Sequence, residues 1–279
     1  AASLGAAITA CGRSGQWQRA LRLFQSSSAA ALPPGVVTFG ALISACETGS
    51  QWLRALALVA QMPACSVEPD AICCNTAISA CEKAGAWEQA VHLLSSAASA
   101  ALGLDVVAVN ATISACEKAR HWERALDLLL SASQDAGVKV DTTSYNAAVS
   151  ACAQGRRWRI AVGLLAGMRE ACLEADIVSF NAAIGACKQG SHWLGALMIL
   201  RGMRDGSTAP NTISFGAAIG ACAKGHQWRH ALQLLFDLAL APGRPAHVQA
   251  FGAALGACEQ AGRLGVCLLL LATKQQTSR

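Results

Sequence analysis

A cysteine recurs through this chain at intervals of 35 or 36 residues: Cys11, Cys46, Cys81, Cys116, Cys152, Cys187, Cys222 and Cys258. A second ruler runs in register with it. Trp17, Trp52, Trp87, Trp122, Trp158, Trp193 and Trp228 each follow their cysteine by six residues, and they are all seven Trp of the sequence. Self-similarity at such a period is the signature of a stacked-repeat architecture. It displaces the two-domain expectation that a length of 279 residues would otherwise raise.

Aligned on the cysteine, the units run 1–35, 36–70, 71–105, 106–141, 142–176, 177–211, 212–247 and a partial 248–279. Each holds two apolar patterns at helical spacing. In the second unit Phe39, Leu42, Ile43 and Cys46 fall at i, i+3, i+4 and i+7. Trp52, Ala55, Leu56 and Val59 repeat that spacing after a break at Gly49 and Ser50. All seven Pro lie in or just before junctions between units. The 36-residue units carry their extra residue there too, near Gly137 and Pro242, as surface loops would. Two helices of about a dozen residues cannot bury their apolar faces alone, whereas stacked neighbours share one continuous core. The expected fold is therefore all-α, an αα-hairpin solenoid forming a single domain over residues 1–279. Ala41, Ala77, Ala111, Ala147, Ala182 and Ala217 permit close helix contact, and each Trp is expected to fill one large buried site. The apolar run Val266–Leu271 is expected to be covered, by further chain or by a partner.

Composition removes several classes. At 53% hydrophobic and 14% charged, the chain is not intrinsically disordered. The apolar stretch from Leu264 to Ala272 is about half the length a membrane-spanning helix needs, so no membrane insertion is expected. A net charge of +5 is compatible with a polyanionic partner. Ala1 is neither an initiating Met nor the start of a leader, which suggests a fragment or mature product lacking its targeting peptide. Among thirteen Cys there is no CxxC. The periodic ones share a face with Leu42 and Ile43, where free Cys acts as a small buried hydrophobe, and reduced thiols imply a reducing compartment. His121, His192 and His226 lie just before a Trp, at a solvated turn. No phosphate loop, nucleophile elbow or deaminase pattern occurs. We therefore expect no enzyme, no metal or other cofactor, and no small-molecule substrate.

Units such as VVAVNATISACEKARHWERALDLL (106–129) and IVSFNAAIGACKQGSHWLGALMIL (177–200) resemble pentatricopeptide repeats. The resemblance rests on the 35-residue period, against 34 for the tetratricopeptide repeat. It rests equally on the opening hydrophobic–Thr/Ser–aromatic–Asn/Gly and the closing Asp or Asn. It covers the whole chain as a P-type array of seven full repeats and a partial eighth. Trp in the second helix, and Gly at several polar positions, depart from the family pattern. The resemblance implies a right-handed superhelix. It also implies a sequence-specific adaptor for single-stranded RNA, acting in chloroplast or mitochondrion in RNA processing, stability, editing or translation. Other RNA-processing proteins are candidate partners. A helical-repeat scaffold for protein–protein interaction remains the alternative.

In the family each repeat is held to read one base through its fifth and last residues, with the protein N-terminus toward the RNA 5′ end. Here the fifth residues are Gly5, Gly40, Asn75, Asn110, Asn146, Asn181, Gly216 and Gly252, and the last are Gly35, Asp70, Asp105, Asp141, Asp176, Asn211 and His247. Amide and carboxylate side chains have the donors and acceptors to meet a Watson–Crick edge. By resemblance Asn75/Asp105, Asn110/Asp141 and Asn146/Asp176 favour U, and Asn181/Asn211 favours C, giving a core of 5′-UUUC-3′. Gly40/Asp70 has lost one reader, and Gly216/His247 and the terminal repeats are unreadable. These readers are expected to stand exposed at helix starts. The second residues, Val37, Ile72, Val107, Thr143, Val178 and Ile213, correspond to base clamps, with packing at the helix start as the alternative. Arg13, Lys83, Lys118 and Lys224 at the thirteenth position, with Lys188 one residue earlier, are candidate phosphate contacts. Their alternative role is to complement the dipole of a helix C-terminus.

Overall fold

The computed structural model describes residues 2–29, 35–100, 102–103, 105–134, 138–206, 208–240 and 248–263. Among these the chain forms fifteen α-helices, one 3-10 turn at Pro63–Cys65 and no strand. Eight are first helices of a repeat: α1 (Ala2–Arg13), α3 (Val36–Thr48), α5 (Ala71–Ala84), α7 (Val106–Lys118), α9 (Thr142–Gln154), α11 (Ile177–Gln189), α13 (Thr212–Lys224) and α15 (Val248–Gln260). Seven are second helices: α2 (Trp17–Ala29), α4 (Trp52–Gln61), α6 (Trp87–Ser99), α8 (Trp122–Gln134), α10 (Trp158–Glu170), α12 (Trp193–Asp205) and α14 (Trp228–Leu240). Every second helix begins at its periodic Trp. His247 and the run Val266–Leu271 lie outside the described residues.

The chain divides into two compact units, Ala1–Ala147 and Ala148–Arg279, with the boundary inside α9. In the first unit α1, α3, α5 and α7 stack in order, and α2, α4 and α6 each pack on their own first helix and the next. The second unit repeats the scheme, with α11, α13 and α15 stacked and α12 and α14 each packed on two of them. The fold class is an all-α helical-repeat solenoid.

Small residues make the stacking close. Ala77, Ile78, Ala80 and Cys81 of α5 are fully buried, as are their counterparts Ala183, Ile184, Ala186 and Cys187 of α11. Across the hairpin they face an equally buried alanine three residues into each second helix, such as Ala90 and Ala196. Every methyl removed from water contributes on the order of 0.8 kcal/mol, but with no bulky side chain between them the backbones can also approach closely. Burial pushes the thiols of Cys81, Cys116, Cys152, Cys187 and Cys222 up to about 11, so they stay protonated and inert at neutral pH.

The periodic cysteine also serves the turn through its backbone. Its carbonyl accepts the N–H of the residue five further on: Gln51 to Cys46, Arg157 to Cys152 and His192 to Cys187, each at 2.8 Å. This six-to-one bond closes a Schellman motif, which needs a left-handed residue just after the helix. Gly15, Gly85 and Gly262 supply it with φ of 70°, 68° and 66°. Ser50, Arg120, Arg156, Ser191 and His226 supply it at a steric cost, with φ between 54° and 63°.

The tryptophans are not core residues. All seven indoles are half-buried at the rim where one repeat meets the next turn. A Cβ built on Gly190 would stand 2.5 Å from the Trp158 ring, and one on Gly225 would stand 2.6 Å from Trp193. The Trp158 ring also stacks on His192 at 3.6 Å, and Trp87 tilts over His121 at 4.3 Å. Alanine already occupies the deep site, so the indole has no room there and instead covers the turn. The same stacking removes those histidines from a purely solvated role.

Candidate nucleic-acid interface

The junction residues come first, because they start the helices. The first N–H groups of a helix have no partner within it. Asp70 accepts from Cys73 N–H at 2.8 Å, Asp105 from Ala108 at 3.2 Å, and Asp141 from Ser144 at 2.8 Å. Asp176 accepts from Ser179 at 2.8 Å and Asn211 from Ser214 at 2.9 Å. Each of these last residues, expected to read a base, is therefore also the N-cap of the following first helix, a role worth about 1 kcal/mol. The spacing Asp-x-x-Ser at 141–144 and 176–179, and Asn-x-x-Ser at 211–214, is a capping signature that the sequence reading passed over.

The fifth residues meet these caps across one repeat step. Asn75 Nδ2 donates to Asp105 Oδ1 at 3.0 Å, and Asn110 Nδ2 donates to Asp141 Oδ1 at 3.1 Å. Ser144 Oγ closes a ring, accepting the Asp141 N–H at 3.2 Å and giving its single proton to Asn110 Oδ1 at 2.5 Å. Ser214 Oγ does the same in α13, accepting from Asn211 N–H at 3.1 Å and donating to Asn181 Oδ1 at 2.6 Å. Asn146 is half-buried on α9 and Asp176 caps α11, and the two belong to different compact units. The reading amides are thus half-buried and engaged rather than exposed. Burial pushes the Asp141 carboxyl up, but the N–H groups of Ser144 and Thr143 and the Asn110 amide outweigh it and hold it below its ordinary value. It is a carboxylate at neutral pH, an acceptor only.

Gly40 and Gly216 leave the amide position empty without crowding it. A Cβ on Gly40 would lie 3.7 Å from Cys73 Sγ, and one on Gly216 would meet nothing within 4 Å. Gly40 therefore faces a capping Asp70 with no amide between. The second residues stand out into solvent: Val37 is 79% exposed, Ile72 70%, Val107 54%, Val178 55% and Ile213 66%, and Thr143 is exposed as well. Packing at the helix start cannot account for them. In each compact unit a β-branched residue is thus left bare at the second position of successive repeats.

The basic residues are exposed or half-buried at the far end of the first helices, but several are engaged. Lys83 Nζ reaches back to Glu47 at 3.0 Å and Lys118 Nζ to Glu82 at 3.0 Å, so each ion pair ties one first helix to the preceding one. Lys224 Nζ donates to Gln189 at 3.2 Å, and the Lys188 side chain lies over Gly220. Arg13 ends α1, exposed. Around Lys83 and Lys118 charges of both signs alternate rather than forming a bare basic stripe, since a glutamate precedes each by one residue. Among the described residues no group of His, Cys, Asp and Glu is placed to hold a metal ion, and no helix is long and apolar enough to cross a membrane.

Two family models match the sequence: a pentatricopeptide repeat domain over residues 128–189 and a single such repeat over residues 3–26. The chain carries pentatricopeptide repeats. No curated protein sequence matches it. Among solved structures it is similar to the pentatricopeptide repeat protein PPR10 in complex with an 18-nt psaJ RNA element, at 16% identity and a TM-score of 0.74. That match covers 99% of this pentatricopeptide array but only 40% of the length of PPR10. It is also similar to the pentatricopeptide domain of Arabidopsis thaliana protein-only RNase P 1 in complex with tRNA. There the identity is 14% and the TM-score 0.50, over 60% of this chain and 87% of that one. At these identities the likeness is one of fold.

Proposed function

We propose that this pentatricopeptide array binds single-stranded RNA as an adaptor without catalysis of its own, taking one base per repeat between successive exposed aliphatic residues. The observation that carries the reading is what the amide–carboxylate ring leaves over. In Asn110/Asp141 the Asn Oδ1, one Nδ2 hydrogen and the Asp Oδ1 are already used. One N–H and the second carboxylate oxygen remain. That donor–acceptor pair matches O2 and N3–H of uracil, whereas the bare N3 of cytosine would face the carboxylate. In Asn181/Asn211 the capping oxygen is taken by Ser214 N–H, so the second group offers Nδ2–H, which suits the cytosine N3 acceptor. Supporting the reading, the two similar structures described above hold RNA.

The proposed core is 5′-UUUC-3′, read by Asn75/Asp105, Asn110/Asp141, Asn146/Asp176 and Asn181/Asn211, with Val37, Ile72, Val107, Thr143, Val178 and Ile213 as clamps. Arg13, Lys83, Lys118, Lys188 and Lys224 would meet phosphates. The setting proposed is chloroplast or mitochondrion, in RNA processing, stability, editing or translation. The test is a competition among oligonucleotides that alter the core one base at a time. A purine at any central position should weaken binding by roughly 5- to 100-fold, the discrimination of one matched base contact. Equal affinity for UUUC and GAAA cores, or no RNA binding by the folded chain, would leave a protein-binding scaffold as the better account.

A further inference from the structure

The hydroxyl at the third position of the following repeat is bonded to the reading amide, and its partners differ along the chain. Ser144 donates to Asn110 and Ser214 donates to Asn181. For Asn75, in the repeat 71–105, the corresponding residue of the following repeat is Ala108, and the Asn75 Oδ1 is buried without a hydrogen-bond partner. A second orienting contact is also unevenly distributed. Asn75 and Asn110 each donate Nδ2 to a carboxylate, which would repel Oδ1 if the amide turned over. Asn181 is paired with the neutral amide of Asn211, whose oxygen exerts that preference more weakly than a carboxylate.

We infer that Ser214 is the positioning residue that sets base choice at Asn181/Asn211, resting on the reading proposed above. Its Oγ accepts the Asn211 N–H, and the nearer of its two acceptors, Asn181 Oδ1 at 2.6 Å against Asn211 Oδ1 at 3.0 Å, receives its one proton. That fixes Asn181 with Nδ2 turned away from the serine. The N–H of Ser214 meanwhile holds Asn211 Oδ1, so its Nδ2 also points out. The pair then presents two N–H donors, suited to the N3 and O2 acceptors of cytosine. Without the hydroxyl, either face of the Asn181 amide can turn outward, and an outward oxygen accepts from uracil N3–H equally well. At Asn110/Asp141 the carboxylate orients the amide by itself, so Ser144 adds little to base choice. Specificity at one repeat is therefore set partly by a residue of the next repeat that itself faces no base.

The experiment compares Ser214→Ala, Ser214→Thr, Ser144→Ala and Ala108→Ser in the full chain. Both alanine variants lose the same capping contacts and should lose similar thermal stability, which separates structural cost from reading. The readout is the ratio of affinities for UUUC and UUUU cores. In Ser214→Ala the preference for C should fall about fivefold or more, the orienting worth of one hydrogen bond. Ser214→Thr, which keeps the hydroxyl, should retain it. For Ser144→Ala and Ala108→Ser, preference for U over C at the second and first core positions should stay within about twofold of the parent. An unchanged C preference in a folded Ser214→Ala, or an equal loss in Ser214→Thr, overturns the inference. If the parent binds no RNA, the reading itself fails, and the side-chain amide of Asn181 still decides the positioning claim. Its NH₂ rotation, measured by NMR in the free protein, should quicken in Ser214→Ala and not in Ser214→Thr; no quickening would overturn it.

Discussion

At the scale of single residues, the base-reading position carries two jobs. Asp105 caps α7 through Ala108 N–H and receives the Asn75 amide on the same oxygen. Replacing it by Ala should cost about 1 kcal/mol of stability and blur base choice together. Asp105→Asn should separate the two roles: the cap survives, since Asn caps as well as Asp, while the base preferred at the first core position moves from U toward C. Thermal unfolding with oligonucleotide competition checks this, and a variant that still favours U at full strength would show the carboxylate is not the acceptor. These pairs were legible in the sequence as types and spacings, because Asn and Asp recur at fixed positions. Their engagement was not. An Asn at a helix start looks exposed in a linear pattern, and only the return of the chain one repeat later brings Asp141 and Ser144 against Asn110.

At the scale of the helix and its turn, each described second helix begins at its periodic Trp, yet the indole does not fill the buried site expected of it. The spacing of six residues shows that Trp opens the second helix; it says nothing of whether the indole points inward. The deep site belongs to the alanine three residues on, so Trp158→Ala should cost about 2 kcal/mol, short of the 3–5 kcal/mol of a core truncation. A loss above 4 kcal/mol in denaturant unfolding would return the indole to the core. The turns predict the opposite sign. Arg120 and Arg156 hold φ of 63° and 57°, where glycine alone is unstrained. Arg120→Gly and Arg156→Gly should each stabilise by roughly 0.5–1 kcal/mol, the relief of left-handed strain less the freedom added to the unfolded chain. Gly85→Ala, at the same site one repeat earlier, should destabilise.

At the scale of the whole molecule, the net charge of +5 conceals local pairing. Lys118 is bonded to Glu82 on an exposed face, where such a pair is worth less than about 1 kcal/mol. Glu82→Gln should therefore leave the melting temperature nearly unchanged while strengthening binding to every RNA alike. The freed lysine should also steepen the salt dependence by up to roughly 0.7 in logarithmic slope, one phosphate's worth on a single strand. Lys118→Ala should weaken all RNAs alike, and an effect confined to one sequence would move this residue from the backbone to a base. The residue that caps each repeat also has an evolutionary consequence. Aspartate and asparagine codons differ by one nucleotide, and both start a helix well. Under the proposed reading, a lineage can exchange one letter of its target by a single point mutation while every ancestor along the way stays folded. Divergence of RNA targets then meets no barrier from the scaffold, and heredity is limited mainly by whether the altered transcript is tolerated.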